Sequence, residues 1–195
     1  MTNQLDAEYW NTRYLNNTAA WDIGCVSTPI KEYIDQIENK DTAILIPGAG
    51  NAYEAAYLVS KGFTNIHVLD IAPTLIENLK HKFANNPEVS LHCNDFFMHQ
   101  GNYDLILEQT FFCALNPLLR EQYNSKMYDL LKVNGKLVGV LFDTEFEQEG
   151  PPFGGNIDSY LSLFIPNFTV KVLEKCHNSI QPRAGKECFM ILEKL

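Results

Sequence analysis

A chain of 195 residues, 46% hydrophobic and 20% charged, is long enough for one globular domain with a substantial core. Its 15 Lys and Arg against 24 Asp and Glu leave a net charge of -9. That balance offers no basic field to a nucleic-acid backbone and points to a small-molecule partner. The polar, acidic start MTNQLDAEYW lacks the pattern of a secretory signal, and no uncharged apolar run approaches bilayer-spanning length. The expectation is a cytoplasmic protein without membrane or nucleic-acid partners, and nothing demands more than a monomer. The cysteines Cys25, Cys93, Cys113, Cys176 and Cys188 are scattered, with no C-x-x-C pair, and read as reduced and mostly buried; the histidines show no ligand spacing, so no metal is expected.

In chain order, residues 5 to 16 have helical character, and Trp10 and Tyr14, four apart, share one helix face. Asn16-Asn17-Thr18 breaks this helix, Trp21 to Gly24 reads as a turn, and Ser27-Thr28-Pro29 opens a second helix running to about Glu38. Ala43 to Ile46 is a short apolar run stopped by Pro47, as in a strand buried on both faces. Gly48-Ala49-Gly50 follows, where glycine lets the backbone turn sharply and approach a ligand. Ala52 to Lys61 is a helix closed by Gly62, and Ile66 to Leu69 a second strand ending in Asp70. An acidic residue at that point of a βαβ unit can accept both hydroxyls of a ribose. The third glycine of the dinucleotide fingerprint is replaced by Tyr53, which favours a nucleoside cofactor lacking phosphates. A strand, a Gly-x-Gly turn and a helix also recur in α/β proteins that bind no nucleotide.

Ala72-Pro73 begins a helix that Asn85-Asn86-Pro87 ends; Val89 to Cys93 is a third strand, followed by Asn94-Asp95-Phe96-Phe97, and Tyr103 to Leu107 a fourth, ending at Glu108. Pro117 opens a long helix, Asn134-Gly135 turns the chain, and Lys136 to Phe142 is the fifth strand. Asp143 to Asn156 is a loop long enough to suggest function or disorder. Ile157 to Phe164 is a short helix, and Phe168 to Glu174 and Glu187 to Leu192 form a closing hairpin. The alternation predicts an α/β fold: a Rossmann-like, seven-stranded, mostly parallel sheet with an antiparallel C-terminal edge hairpin and helices on both faces, in a single domain spanning 1–195.

In such sheets ligands bind beyond the carboxyl ends of the strands. Gly48 to Gly50, Asp70, Asp95 and Glu108 all fall at such ends and are expected to face one crevice. This ordered set resembles the class I S-adenosylmethionine-dependent methyltransferases. The resemblance narrows to the thiopurine methyltransferase superfamily, and within it to the thiol, halide and thiocyanate methyltransferases. The pieces that carry it are W-x3-Y-x6-WDxG from Trp10 to Gly24, IPGAG at Ile46 to Gly50, LDI at Leu69 to Ile71, YDLILEQTFFCAL at Tyr103 to Leu115, GPPF at Gly150 to Phe153, and SIQPRAGKE at Ser179 to Glu187.

The resemblance implies S-adenosylmethionine as cofactor and methyl transfer to a small soft nucleophile such as a thiol, hydrosulfide, halide or thiocyanate. Gly48 and Gly50 would admit its methionyl part, Asp70 hold the ribose, Asp95 and the Phe96 backbone meet the adenine, and Glu108 with its loop lie by the amino acid moiety. Trp10, Tyr14 and Trp21, within a helical cap formed by residues 1–40, would close over the sulfonium. Phe153 and Arg183 are the substrate-side candidates, and no catalytic base is assigned. Other readings stand beside these: Trp10 and Tyr14 as core, Asp95 as a helix cap, Glu108 as a solvated strand end, Arg183 as a solvated charge, Phe111 and Phe112 as packing. At the level of function the alternatives are a thiopurine-type or selenium- or tellurium-directed methyltransferase, a nicotinamide oxidoreductase, and a noncatalytic cofactor-binding module.

Overall fold

The structure, a computed structural model, describes residues 5–16, 18, 21–148 and 150–195. A seven-stranded sheet forms its centre: β1 Ile44–Pro47, β2 Ile66–Asp70, β3 Val89–Cys93, β4 Tyr103–Gln109, β5 Leu131–Phe142, β6 Thr169–Lys175 and β7 Glu187–Glu193, in the order β3-β2-β1-β4-β5-β7-β6. β1 to β5 run parallel, and β7 is antiparallel to both β5 and β6. The C-terminal hairpin therefore sits at the sheet edge as expected. Its second strand inserts against β5, leaving β6 outermost.

The helices are α1 Ala7–Leu15, α2 Thr28–Asp35, α3 Tyr53–Ser60, α4 Pro73–Lys82, α5 Arg120–Leu130 and α6 Ile157–Phe164. Period-two alternation along the strands divides the core between the two faces. From β1, Ile44 and Ile46 join Leu58 and Leu75 of α3 and α4, whereas Leu45 joins Met127 of α5 and Phe164 of α6. From β7, Phe189 and Ile191 face the first layer, and Cys188, Met190 and Leu192 the second.

Several boundaries differ from expectation: α2 ends at Asp35 rather than at about Glu38, and Pro47 is the last residue of β1 rather than its stop. β5 starts at Leu131, because Asn134-Gly135 forms a bulge rather than a break: Tyr103 lies opposite Leu131, but Leu105 lies opposite Lys136. Asn134 takes a φ of 62°, its N–H donates to the Lys194 carbonyl (2.8 Å), and the Gly135 carbonyl accepts from the Lys194 N–H (2.9 Å), so the C-terminal residues complete the bulge. The helix expected from Pro117 begins as a 3-10 turn over Pro117–Leu119, capped by the Asn116 side chain, before α5 proper. Of the Asn16-Asn17-Thr18 break, Asn17 lies outside the described residues, and α1 ends at Leu15 with Asn16 as its C-cap.

Strand order reverses between β1 and β4, which opens a crevice at their carboxyl ends. α1 lies along this crevice and packs on α4, where Asn11 Oδ1 accepts the Thr74 N–H (2.8 Å). Among the described residues, no helix is long and apolar enough to cross a membrane.

Candidate active site

At the end of β1 the chain bends through Gly48 (φ 57°) and Gly50 (φ 51°), a left-handed conformation that favours glycine. A side chain at Gly48 would collide with the Phe111 ring, and one at Gly50 would come within 3.5 Å of the Tyr14 hydroxyl. The loop is thus where Tyr14 of α1, Trp21 and Phe111 beyond β4 converge.

Asp70, at the end of β2, is buried, with Oδ1 accepting the Ala72 N–H (3.0 Å) and Oδ2 the Gly50 N–H (3.3 Å). Burial pushes its carboxyl up to about 6, against the pull of the backbone N–H groups of Ala72, Gly50 and Ile71. Asp95, beyond β3, is exposed and accepts the Phe97 N–H (2.8 Å), capping a 3-10 turn over Phe96–Met98; the capping reading describes that oxygen. Phe96 is buried and packs edge-on against Phe111.

Glu108 is not a solvated strand end. It is fully buried at the end of β4, with Oε1 accepting from the Phe111 and Phe112 N–H groups (2.9 Å each) and Oε2 from the Tyr123 hydroxyl (2.8 Å). Desolvation raises its carboxyl to about 7, with those donors opposing. The carboxylate builds the following turn from beneath, and Thr110, Phe111 and Cys113 of that turn reach the cavity.

Above the glycine loop, the Trp21 ring meets Trp10 (centroids 5.5 Å apart) and Tyr14 (6.0 Å) edge-on. From the C-terminal hairpin, Arg183 Nη2 donates to the Trp21 carbonyl (3.0 Å), Nη1 lies 3.5 Å from Glu187 Oε1, and the guanidinium sits over Phe142 at 5.6 Å. Arg183 is thus largely enclosed and paired rather than solvated.

These pieces surround one cavity of about 870 Å³. Trp10, Tyr14, Trp21, Gly48, Asp70, Asp95, Phe96 and Arg183 all line it. Gly50 lies behind, on a small adjoining recess that shares Trp21, Gly48 and Arg183. Glu108 and Phe153 are not on the cavity wall. Phe153 is tied by its N–H to the Cys113 carbonyl (2.7 Å), and Pro151 and Pro152 of the same GPPF segment line the cavity instead.

Sequence reasoning passed over Phe142, Phe146, Cys113 and Lys186 as wall residues. Phe142 had a usable signal, since it ends β5, and Lys186 lay inside the SIQPRAGKE segment; Phe146 had only its place in the long Asp143 to Asn156 loop. Burial, then the nearby Glu108, pushes the Cys113 thiol up to about 12, which favours the protonated form at neutral pH.

The chemistry of this cavity suits an adenosyl sulfonium: a buried carboxylate for hydroxyl donors, aromatic rings for a cation, and a volume within the range of small-molecule sites. Comparison with known proteins agrees. The family model for thiopurine S-methyltransferase matches residues 5–194. The chain is 28% identical to "Probable thiol methyltransferase 2" of Arabidopsis thaliana and 26% identical to "Thiocyanate methyltransferase 1" of Brassica oleracea, in each case across 91% of this chain and 81% of the relative. Among solved structures, the Burkholderia thailandensis 1,6-didemethyltoxoflavin-N1-methyltransferase, bound to 1,6-didemethyltoxoflavin and S-adenosylhomocysteine, superposes with a TM-score of 0.77 at 16% identity, over 96% of this chain and 86% of that one. A strand order that opens its crevice at the glycine loop, a cavity walled there by carboxylate and indole, and a family match over nearly the whole length lead to one assignment: the chain belongs to the thiopurine S-methyltransferase family of S-adenosylmethionine-dependent methyltransferases.

Proposed function

We propose that this enzyme methylates a small, soft, anionic nucleophile (a thiolate, hydrosulfide, halide or thiocyanate) by in-line displacement. The observation that carries the reading is the single cavity lined by Asp70 and the Trp10–Tyr14–Trp21 cluster together with apolar Phe142, Phe146, Pro151 and Pro152 and the cations Arg183 and Lys186. S-adenosylmethionine, when bound, supplies an already activated methyl group on a positive sulfur.

The protein's part is to bind, align and dehydrate. Asp70 accepts the ribose hydroxyls, Asp95 and the Phe96 backbone serve the adenine, and Gly48 and Gly50 admit the methionyl end. The rings of Trp10, Tyr14 and Trp21, under the cap formed by the N-terminal segment, favour the positive sulfur. Phe142, Phe146, Pro151 and Pro152 wall off water on the acceptor side. Arg183 Nη2 is committed to the Trp21 carbonyl, but its buried Nη1, 3.5 Å from Glu187, has no hydrogen-bond partner among the described residues, so Arg183 together with exposed Lys186 supplies the field that draws an anion in. A soft anion attacking a sulfonium requires no general base.

A second reading, an aromatic or heterocyclic thiol as acceptor, is favoured by the size of the cavity and its phenylalanine and proline wall. Incubation with methyl-labelled S-adenosylmethionine and a panel of hydrosulfide, iodide, thiocyanate, small thiols and a heteroaromatic thiol separates the two. Volatile labelled products support the first reading, and preference for the heteroaromatic thiol the second. Tight cofactor binding with no turnover on any member would identify a noncatalytic module instead.

A further inference from the structure

Trp21 sits in a stretch, Trp21–Val26, with neither helix nor strand, so no regular element fixes its ring over the cavity. Side-chain bonds hold it from two sides. On the hairpin side Arg183 donates to its carbonyl (3.0 Å). On the other side the next residue, Asp22, turns its carboxylate to the glycine loop. Oδ2 accepts from Asn51 Nδ2 and from the Tyr53 hydroxyl (3.1 Å), and Oδ1 accepts the Gly24 N–H (2.7 Å).

Asn51 is in turn tied down, because Lys82 Nζ donates to its carbonyl (2.5 Å) and lies over the Tyr53 ring at 5.0 Å. The chain of contacts continues through Gly50, whose N–H is held by Asp70. Tyr53 stands where a dinucleotide-binding loop carries its third glycine, and its hydroxyl makes a bond no glycine could.

We propose that Asp22, Asn51 and Tyr53 are positioning residues that form a latch, fastening the Trp21 strap to the glycine loop and setting how fast the adenosyl cofactor leaves. The proposal rests on the cavity holding that cofactor, as argued above. The groups facing the Asp22 carboxylate are the Gly24 amide, the Asn51 amide, the Tyr53 hydroxyl and, farther off, the Lys82 ammonium; burial opposes the ionised form, but together they hold its pKa below the usual carboxylate value. Asp22 is exposed, and water competes for each of its bonds. The latch is therefore weak enough to open in every catalytic cycle.

The chain's two tryptophans are Trp10 and Trp21, so its indole fluorescence reports on the cap alone. Stopped-flow dissociation of S-adenosylhomocysteine, followed by this signal in the full-length protein, tests the latch with Tyr53→Phe and Asp22→Asn. The off-rate should rise about five- to tenfold in each, donor KM should rise with it, and acceptor KM at saturating donor should stay at the wild-type value. Because both changes act on one carboxylate, the double variant should fall well short of the product of the singles. Asn51→Asp sets a second carboxylate against Asp22 and should release the product faster still, less so at high salt. Wild-type off-rates in all three variants would overturn the latch while leaving the cofactor assignment standing. A wild-type protein that does not bind S-adenosylhomocysteine would overturn both.

Discussion

Asp70 shows how one side chain links burial to function. With its carboxyl raised to about 6 by desolvation, the free site takes up a proton just below neutrality. On the ribose-holding role proposed above, the hydroxyls donate to the ionised form, so affinity should be full above that value and lost as the pH falls through it. Calorimetric titration of S-adenosylhomocysteine should give a dissociation constant that is flat above about pH 7 and rises toward about tenfold per unit well below 6. Asp70→Asn should bind more weakly at every pH and lose that dependence; a parallel pH profile in the variant would assign the proton elsewhere. Asp70 was visible in the sequence because the βαβ period places it twenty positions after Gly50. Its shifted proton affinity was not, because desolvation depends on what the fold stacks around it.

At the scale of an element, the end of β4 depends on Glu108. Its two oxygens satisfy two backbone N–H groups and a tyrosine hydroxyl, in a turn where Thr110 takes a φ of 61°. Glu108→Ala strands all three donors and should cost about 2–4 kcal/mol in chemical denaturation. Glu108→Gln should cost less, about 1 kcal/mol, because the Tyr123 hydroxyl can reverse and accept from the new amide. The native carboxyl, with a pKa raised to about 7, keeps its proton longer than the unfolded chain does. Its contribution is present below about pH 4.5 and declines as the pH rises to about 7, so the Gln variant should show a shallower pH dependence across that window. Local signals located most elements, but they placed a break at Asn134-Gly135. The backbone does turn left-handed at Asn134, yet hydrogen bonds from the far C-terminus carry the strand through.

For the whole molecule, a ligand that binds only the folded state raises stability by mass action. S-adenosylhomocysteine at about a hundred times its dissociation constant should add about 2.7 kcal/mol, seen in scanning calorimetry as a rise of about 5–10 °C for a chain of this size. NAD at the same concentration should leave the transition unmoved, and an equal shift with both would return the nicotinamide reading. The alternation of helices and strands, the glycine loop, Asp70 and the aromatic pair on α1 were all determined by the sequence itself. Periodicity, turn chemistry and the spacing of a βαβ unit are local properties that a linear reading captures. Only the tertiary structure decided that Glu108 supports the wall rather than forming it, that Phe153 lies off the wall that Pro151 and Pro152 line, that Arg183 is enclosed beside Glu187 and the Trp21 carbonyl, and that Phe142, Phe146 and Lys186 face the cavity. Those outcomes depend on contacts between residues distant in the chain, and a side chain's role there is set by which neighbours the folded backbone brings against it.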